Sequence, residues 1–163
     1  NFDTDDLVDT VVDALQDSGL AAGFLELEVT ETTLMRDVQR TDRVLRALKA
    51  LGVRIAIDDF GTGYSSLLYL KRFPANELKI DRGFVATLAH EGDDATIIAA
   101  IIALGQALEL RVIAEGVESQ AQRDALLHLG CRYFQGYLYG VPQPAEQIGA
   151  YGRATLDLHL GSA

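Results

Sequence analysis

Two adjacent carboxylates, Asp58 and Asp59, close the mostly apolar, β-branched run Val53–Ile57 and lead at once into Phe60, Gly61, Thr62 and Gly63. Carboxylates held this close repel each other and raise one another's pKa, a cost most simply offset by a bound cation. Successive strand residues point to opposite faces, so the pair reaches one ligand only where the strand breaks into a turn, and Gly61 and Gly63 are expected to supply that break, with Ser65 or Ser66 capping the helix that follows. The same residues also suit a solvated Asp-Asp turn with a helix cap. Other acids end apolar runs: Glu28 in Phe24–Val29 and Glu115 after Leu110–Ala114. Glu28, Asp58, Asp59 and Glu115 form an all-oxygen set, whereas His90, His128 and His159 fall at helix ends, loops and the tail. Hard oxygen donors select Mg²⁺ or Mn²⁺ over Zn²⁺. Lys79 is expected on a neighbouring strand, where its ammonium either steadies a phosphate oxygen or an attacking water, or is simply an exposed strand lysine. Glu26 and Glu28 have a second use as solvated residues of a half-exposed strand. Glu118, three residues past Glu115, either holds that set in place or caps the helix beginning near Ser119.

These residues need a scaffold, and the pattern around them alternates. Apolar runs predict strands at Leu25–Glu28, Arg54–Asp58, Leu78–Ile80, Val112–Glu115 and Tyr133–Gln135. Helical spacing predicts helices over 5–16, 41–51, 65–72, 95–108 and 119–129, ended by signals such as Gly19, Gly52 and Pro74. The helix over 95–108 is so apolar that burial on more than one side is expected. The strands end on Glu28, Asp58, Asp81, Glu115 and Gln135, as in a βα barrel, whose functional residues gather at the C-terminal ends of its strands. A doubly wound open sheet would be expected to carry a glycine-rich phosphate loop near its first strand, and no such pattern occurs. A complete eight-unit barrel needs about 250 residues, and this chain has 163. The expectation is therefore an α/β fold, an incomplete (β/α)8 TIM-like barrel of about five parallel units with helices outside, whose open form exposes two sheet edges and an apolar barrel interior.

A composition of 48% hydrophobic and 23% charged residues is that of an ordinary soluble domain. A net charge of −10 argues against long nucleic acid as a partner, because phosphate affinity comes largely from Lys and Arg. A small phosphodiester is still compatible, its charge offset locally by metal ions. No run approaches the ~20 apolar residues of a membrane span, and the acidic start is unlike a signal peptide, so a cytoplasmic location is expected. Cys131, the single cysteine, reads as a small core residue.

The string from Asp58 to Leu67, DDFGTGYSSL, resembles the EAL family of cyclic di-GMP phosphodiesterases. It is accompanied in order by ELEVTET (Glu26–Thr32), LKID (Leu78–Asp81), AEGVE (Ala114–Glu118) and FQGY (Phe134–Tyr137). The likeness runs from about Asp5 to about Gln147. It implies that residues 1–152 are the C-terminal portion of an EAL domain, with 153–163 a tail, and that the family's Glu-Ala-Leu signature strand and its Asn-bearing strand have no counterpart here. It further implies a two-metal site for Mg²⁺ or Mn²⁺, in which Glu28, Asp58 and Glu115 are ligands and Asp59 serves a second ion. Lys79 then resembles the residue that holds the catalytic water, Glu115 the general base, Glu118 and Gln135 supporting positions, and Glu31 the glutamate that tethers the DDFG loop. The implied reaction is hydrolysis of cyclic di-GMP to the linear dinucleotide pGpG in bacterial second-messenger signalling. Implied partners are a second copy, through barrel helices of the complete domain, and upstream sensor or GGDEF-type domains. The chain by itself is expected to be inactive; the alternative is a non-catalytic module that binds cyclic di-GMP or another protein.

Overall fold

The computed structural model describes residues 4–62, 70–88 and 94–147. Five strands, β1 (Glu26–Thr30), β2 (Arg54–Phe60), β3 (Glu77–Ile80), β4 (Arg111–Ala114) and β5 (Tyr133–Phe134), form one sheet in the order β1-β2-β3-β4-β5. Every neighbouring pair is parallel, as the strand and helix alternation requires. The helices are α1 (Thr4–Ser18), α2 (Glu31–Arg36), α3 (Val38–Ala50), α4 (Arg82–Thr87), α5 (Asp94–Ala107) and α6 (Gln120–His128). The helix expected over 65–72, with Gly63, Ser65 and Ser66, lies largely outside the described residues, as do His90, His159 and the tail. Two short helices went unforeseen, α2 and α4. They begin where Thr30 and Asp81 cap them, accepting from the Thr33 and Gly83 amides.

Alternation sorts the sheet into two unlike faces. On the outer face Ile55, Ile57, Leu78, Ile80 and Ala114 are completely buried, joined by Leu48 from α3, Ile98 and Ile102 from α5 and Leu126 from α6. Burying one such side chain contributes roughly 1.5–3 kcal/mol, and this layer is the core. Cys131 is buried beside it. Helix α5 covers the sheet through Ile98, Ile101 and Ile102 but leaves Ile97 39% exposed, with Ala100 and Ala103 also on its open side. Within this chain it is therefore buried on one side, not on several.

The inner face overturns the expectation of an apolar barrel interior. Glu26, Arg54, Glu77 and Arg111 share it, and their charges alternate across four strands. Arg54 Nε lies 3.3 Å from Glu26 Oε2, and its guanidinium also contacts Glu77. Glu77 Oε1 accepts from Arg111 Nη1 at 3.1 Å, and the Arg111 guanidinium sits 4.9 Å from the centre of the Tyr133 ring. Glu77 is only 2% exposed and is tolerated because two guanidinium groups meet it. Above this row come Glu28, Asp58 and Lys79.

Candidate metal centre

The sheet positions the acids through an irregularity in β2. Ile57 pairs with Leu78 and Phe60 with Ile80, so three steps on β2 match two on β3. The extra residue is a β-bulge, and Asp59 at φ +53° occupies the left-handed region that Asp tolerates better than most side chains. Asp58 keeps its inner-face place, Asp59 is released from strict alternation, and Phe60 returns to the core. The break thus begins at Asp59, ahead of the glycines expected to supply it. Gly61 is still required: at φ +101° a Cβ there would stand 2.8 Å from Phe84 Cε2 and 3.1 Å from Ile101 Cδ1. Its N–H donates to Glu31 Oε2 at 3.0 Å, and Glu31 is 2% exposed. The glutamate read as a tether of this loop does contact it.

Carboxylate oxygens of Asp58, Asp59 and Glu115 lie within 4.8 Å of one another. Glu115 comes directly after β4, where its N–H donates to Ile80 O at 3.2 Å. The next residue, Gly116, has φ +67° and packs so closely that a Cβ would lie 2.6 Å from Arg82 Cβ. Lys79, on the inner face of β3, is 3% exposed, which rules out the reading as an exposed strand lysine. Its Nζ is 2.5 Å from Glu115 Oε1 and 3.7 Å from Asp58 Oδ1, and it donates to Glu28 Oε1. Glu28 is accordingly held by Lys79 and stands outside the three-acid group; it is neither a plain solvated strand residue nor, in this arrangement, a fourth member of the cluster.

The local electrostatics follow from these contacts. Burial works against the charge on Lys79, but its hydrogen bonds to Glu115 and Glu28, with the charges of Glu115 and Asp58, raise its pKa above the ordinary lysine value. Burial raises the Glu115 carboxyl; Lys79 opposes this, and the charges of Asp58 and Glu28 add to it. Asp59 is also raised, by burial and then by the charges of Asp58 and Asp81 and a hydrogen bond with Asp81. Asp81 is the site residue sequence reasoning passed over, noted only as a strand-end acid. The same position that flagged Asp58 and Glu115 would have flagged it.

The supporting residues stand differently. Ser119 is the helix cap, reciprocally paired with Gln122, so Glu118 is not the cap; its amide donates to Gln122 Oε1 at 2.8 Å. Among the described residues its carboxylate joins no ion pair with the cluster. Gln135 lies beside the site through its backbone, donating to Ala114 O at 2.9 Å and accepting from Val117 N at 3.1 Å, while its side chain is exposed. His128 ends α6 away from the acids, its ring nitrogen 2.7 Å from Asp124 O.

A hard divalent cation fits this donor set. All the converging atoms are carboxylate oxygens, and Asp58 Oδ1 is buried with no hydrogen-bond partner among the described residues, its nearest positive charge being the Lys79 ammonium at 3.7 Å, which leaves it a lone pair to offer a cation. No described helix is long and apolar enough to cross a membrane.

Comparison with known proteins agrees with the motifs. The chain is 58% identical over 142 residues to the bifunctional diguanylate cyclase/cyclic di-GMP phosphodiesterase MucR of Pseudomonas aeruginosa, covering 87% of this chain and 21% of that protein. The solved complex of the MucR phosphodiesterase with cyclic di-GMP matches with a TM-score of 0.85, covering 87% of this chain and 57% of the solved one. The Klebsiella pneumoniae BlrP1 complex with manganese and cyclic di-GMP, 36% identical, matches with a TM-score of 0.77 over 84% of this chain and 35% of that one. The parallel sheet is thus part of the TIM-like barrel of such domains, and this chain spans about a fifth of the curated relative's length. The profile of the EAL domain matches residues 1–142, and with the ordered motifs and the acids they bring together it shows that the chain belongs to the EAL domain family.

Proposed function

We propose that this chain carries the catalytic acids of a cyclic di-GMP phosphodiesterase that opens one phosphodiester to give linear pGpG. The observation that carries the reading is the convergence of Asp58, Asp59 and Glu115 oxygens within 4.8 Å around an enclosed Lys79. Asp58 and Glu115 would hold one divalent cation and Asp59, with Asp58, a second, with Glu28 joining the set once free of Lys79. Bound Mg²⁺ or Mn²⁺ would supply Lewis-acid activation of water and neutralise charge on the transferring phosphoryl group. Glu115, facing Lys79 and the other acids, suits proton acceptance from the attacking water, and Lys79 orients that water. Glu31 fixes the Asp58–Gly61 segment through the Gly61 amide. Glu118 and Gln135 support the mouth. An open cleft of about 340 Å³ beside Gln135, lined by Phe134, Tyr139 and Val141, offers apolar and aromatic surface on which a base can stack.

As domain organisation we propose residues 1–152 as EAL domain and 153–163 as a tail, in a cytoplasmic protein with sensor or GGDEF-type domains upstream and a second copy meeting the barrel helices. For residues 1–163 alone we expect weak binding of cyclic di-GMP and no turnover. Without the family's signature glutamate and its metal-binding Asn, the centre lacks ligands that the resemblance implies, which lowers affinity and loosens the geometry that aligns water with phosphorus. The test joins this chain to the part of the MucR phosphodiesterase domain that it does not cover. Mg²⁺-dependent release of pGpG from that chimera, abolished by Asp58→Asn with the far-ultraviolet dichroism unchanged, supports the reading. Binding of cyclic di-GMP without any product would favour the non-catalytic module.

A further inference from the structure

The Lys79 ammonium contacts oxygens of the very residues proposed as metal ligands. Nζ lies 2.5 Å from Glu115 Oε1 and 3.7 Å from Asp58 Oδ1, and it also contacts Glu28 Oε1. Two of these three carboxylates, Glu115 and Asp58, belong to the converging group with Asp59. A cation bound to Glu115 Oε1 would sit roughly 2.0–2.6 Å from that oxygen and so no more than about 5 Å from Nζ. Two positive charges at that separation repel strongly, and solvent screens them poorly because Lys79 is 3% exposed. Its strand is held between β2 and β4, and the next acid below, Glu77, is already engaged by Arg54 and Arg111, so the ammonium can only trade contacts among the carboxylates of the site.

Resting on the metal reading given above, we infer that Lys79 is a built-in competitor for the metal centre, an internal counter-ion that lowers divalent-cation affinity and holds Glu28 away from the other ligands until it yields. Metal loading is then an exchange. As a cation enters among Asp58, Asp59 and Glu115, the ammonium gives up its contact with Glu115 or Glu28, and Glu28 becomes available as a donor. The same lysine that serves the water also sets how readily the centre fills. A lysine that only orients water would leave metal affinity unchanged or, by helping to hold the carboxylates in place, improve it.

The test is Mn²⁺ binding to the full 163-residue chain, read by the loss of the free-ion paramagnetic resonance signal, with thermal melts followed by circular dichroism with and without Mn²⁺. Lys79→Met should bind Mn²⁺ at least about tenfold more tightly than the parent chain. Its melting temperature without metal should be lower, because carboxylates lose their counter-ion, and Mn²⁺ should restore more of it than in the parent. Lys79→Gln, which keeps a hydrogen-bond donor, stands in if the methionine variant does not fold, and should shift the affinity in the same direction. Asp58→Asn serves as the control for the site itself and should weaken binding in every background. Equal or weaker Mn²⁺ affinity in both lysine variants, with Asp58→Asn still weakening it, overturns the competition and leaves the metal centre standing. Absence of saturable binding in the parent and variants alike overturns both.

Discussion

Removing the Glu31 carboxylate isolates the tether of the site loop from the metals themselves. Glu31 is 2% exposed, and its Oε2 accepts the Gly61 amide at 3.0 Å. Glu31→Ala leaves that amide without this acceptor and opens space beneath the loop. A hydrogen bond to a charged group contributes roughly 1.5–3 kcal/mol, and an unsatisfied buried donor costs a comparable amount. Gly61 can regain part of this from water because it is exposed, so we expect a net loss of about 2 kcal/mol, equivalent to a fall of roughly 4–8 °C in melting temperature for a domain of this size. Glu31→Gln keeps an acceptor and should lose only about half as much. Thermal melts by circular dichroism in chelator-containing buffer measure both, and Mn²⁺ titration should show weaker binding in the alanine variant, since Asp59 sits on the loosened segment. A Glu31→Ala chain that melts within about 1 °C of the parent would refute the tether, and a glutamine variant as unstable as the alanine one would place the effect in charge rather than in the hydrogen bond.

Other perturbations read other parts of the site. Asp59→Asn should stabilise the metal-free fold at pH 7 while weakening Mn²⁺ binding. The folded-state pKa of Asp59 is raised, so its contribution is fully present below the unfolded value and is lost as pH rises through the folded one; the variant's advantage should therefore vanish on acidification, and melts across pH check the sign. Gly61→Ala should cost about 2 kcal/mol or more, from the φ of +101° and the approach to Phe84; adding Phe84→Leu should recover the steric part alone in a urea double-mutant cycle. Glu77→Ala should cost about 1–2 kcal/mol in the same assay, below the usual penalty for breaking a buried pair because Arg54 and Arg111 reach solvent.

The order and direction of the strands were legible because each apolar run is short and is separated from the next by a helical pattern, which leaves a parallel sheet as the simplest closure. Asp58, Asp59 and Glu115 were legible as a group because each follows such a run. The bulge at Asp59 was not, since an aspartate that adopts positive φ reads like any other and the flanking glycines offered an easier account of the turn. The burial of Lys79 was hidden for a similar reason: Glu77-Leu-Lys-Ile80 alternates in the same way whether its charged face meets water or other charges. The polar inner face is written plainly in Glu26, Arg54, Glu77 and Arg111, yet it becomes visible only once the register sets them side by side.

That register also explains why so acidic a centre is compatible with folding. The lower row alternates sign from β1 to β4, so the buried Glu77 is compensated within the sheet and the floor beneath the centre is electrically quiet. The upper row is not balanced. Glu28, Asp58, Asp59, Asp81 and Glu115 face a single Lys79, leaving an excess of four negative charges if all are ionised. Burial raises the pKa values of Asp59 and Glu115, and the neighbouring carboxylates of this row add to the shift. On the two-cation reading proposed above, two divalent cations would carry the opposite four charges, whereas one would leave the carboxylates in excess. Under that reading a phosphodiester is expected to bind more readily once the second cation is present. On this argument, cyclic di-GMP binding by the chimera with MucR should rise steeply with Mn²⁺ and respond to the second equivalent more than to the first, as measured by titration at fixed ligand. Binding that saturates with a single equivalent would break the charge argument while leaving the fold and the acid cluster untouched.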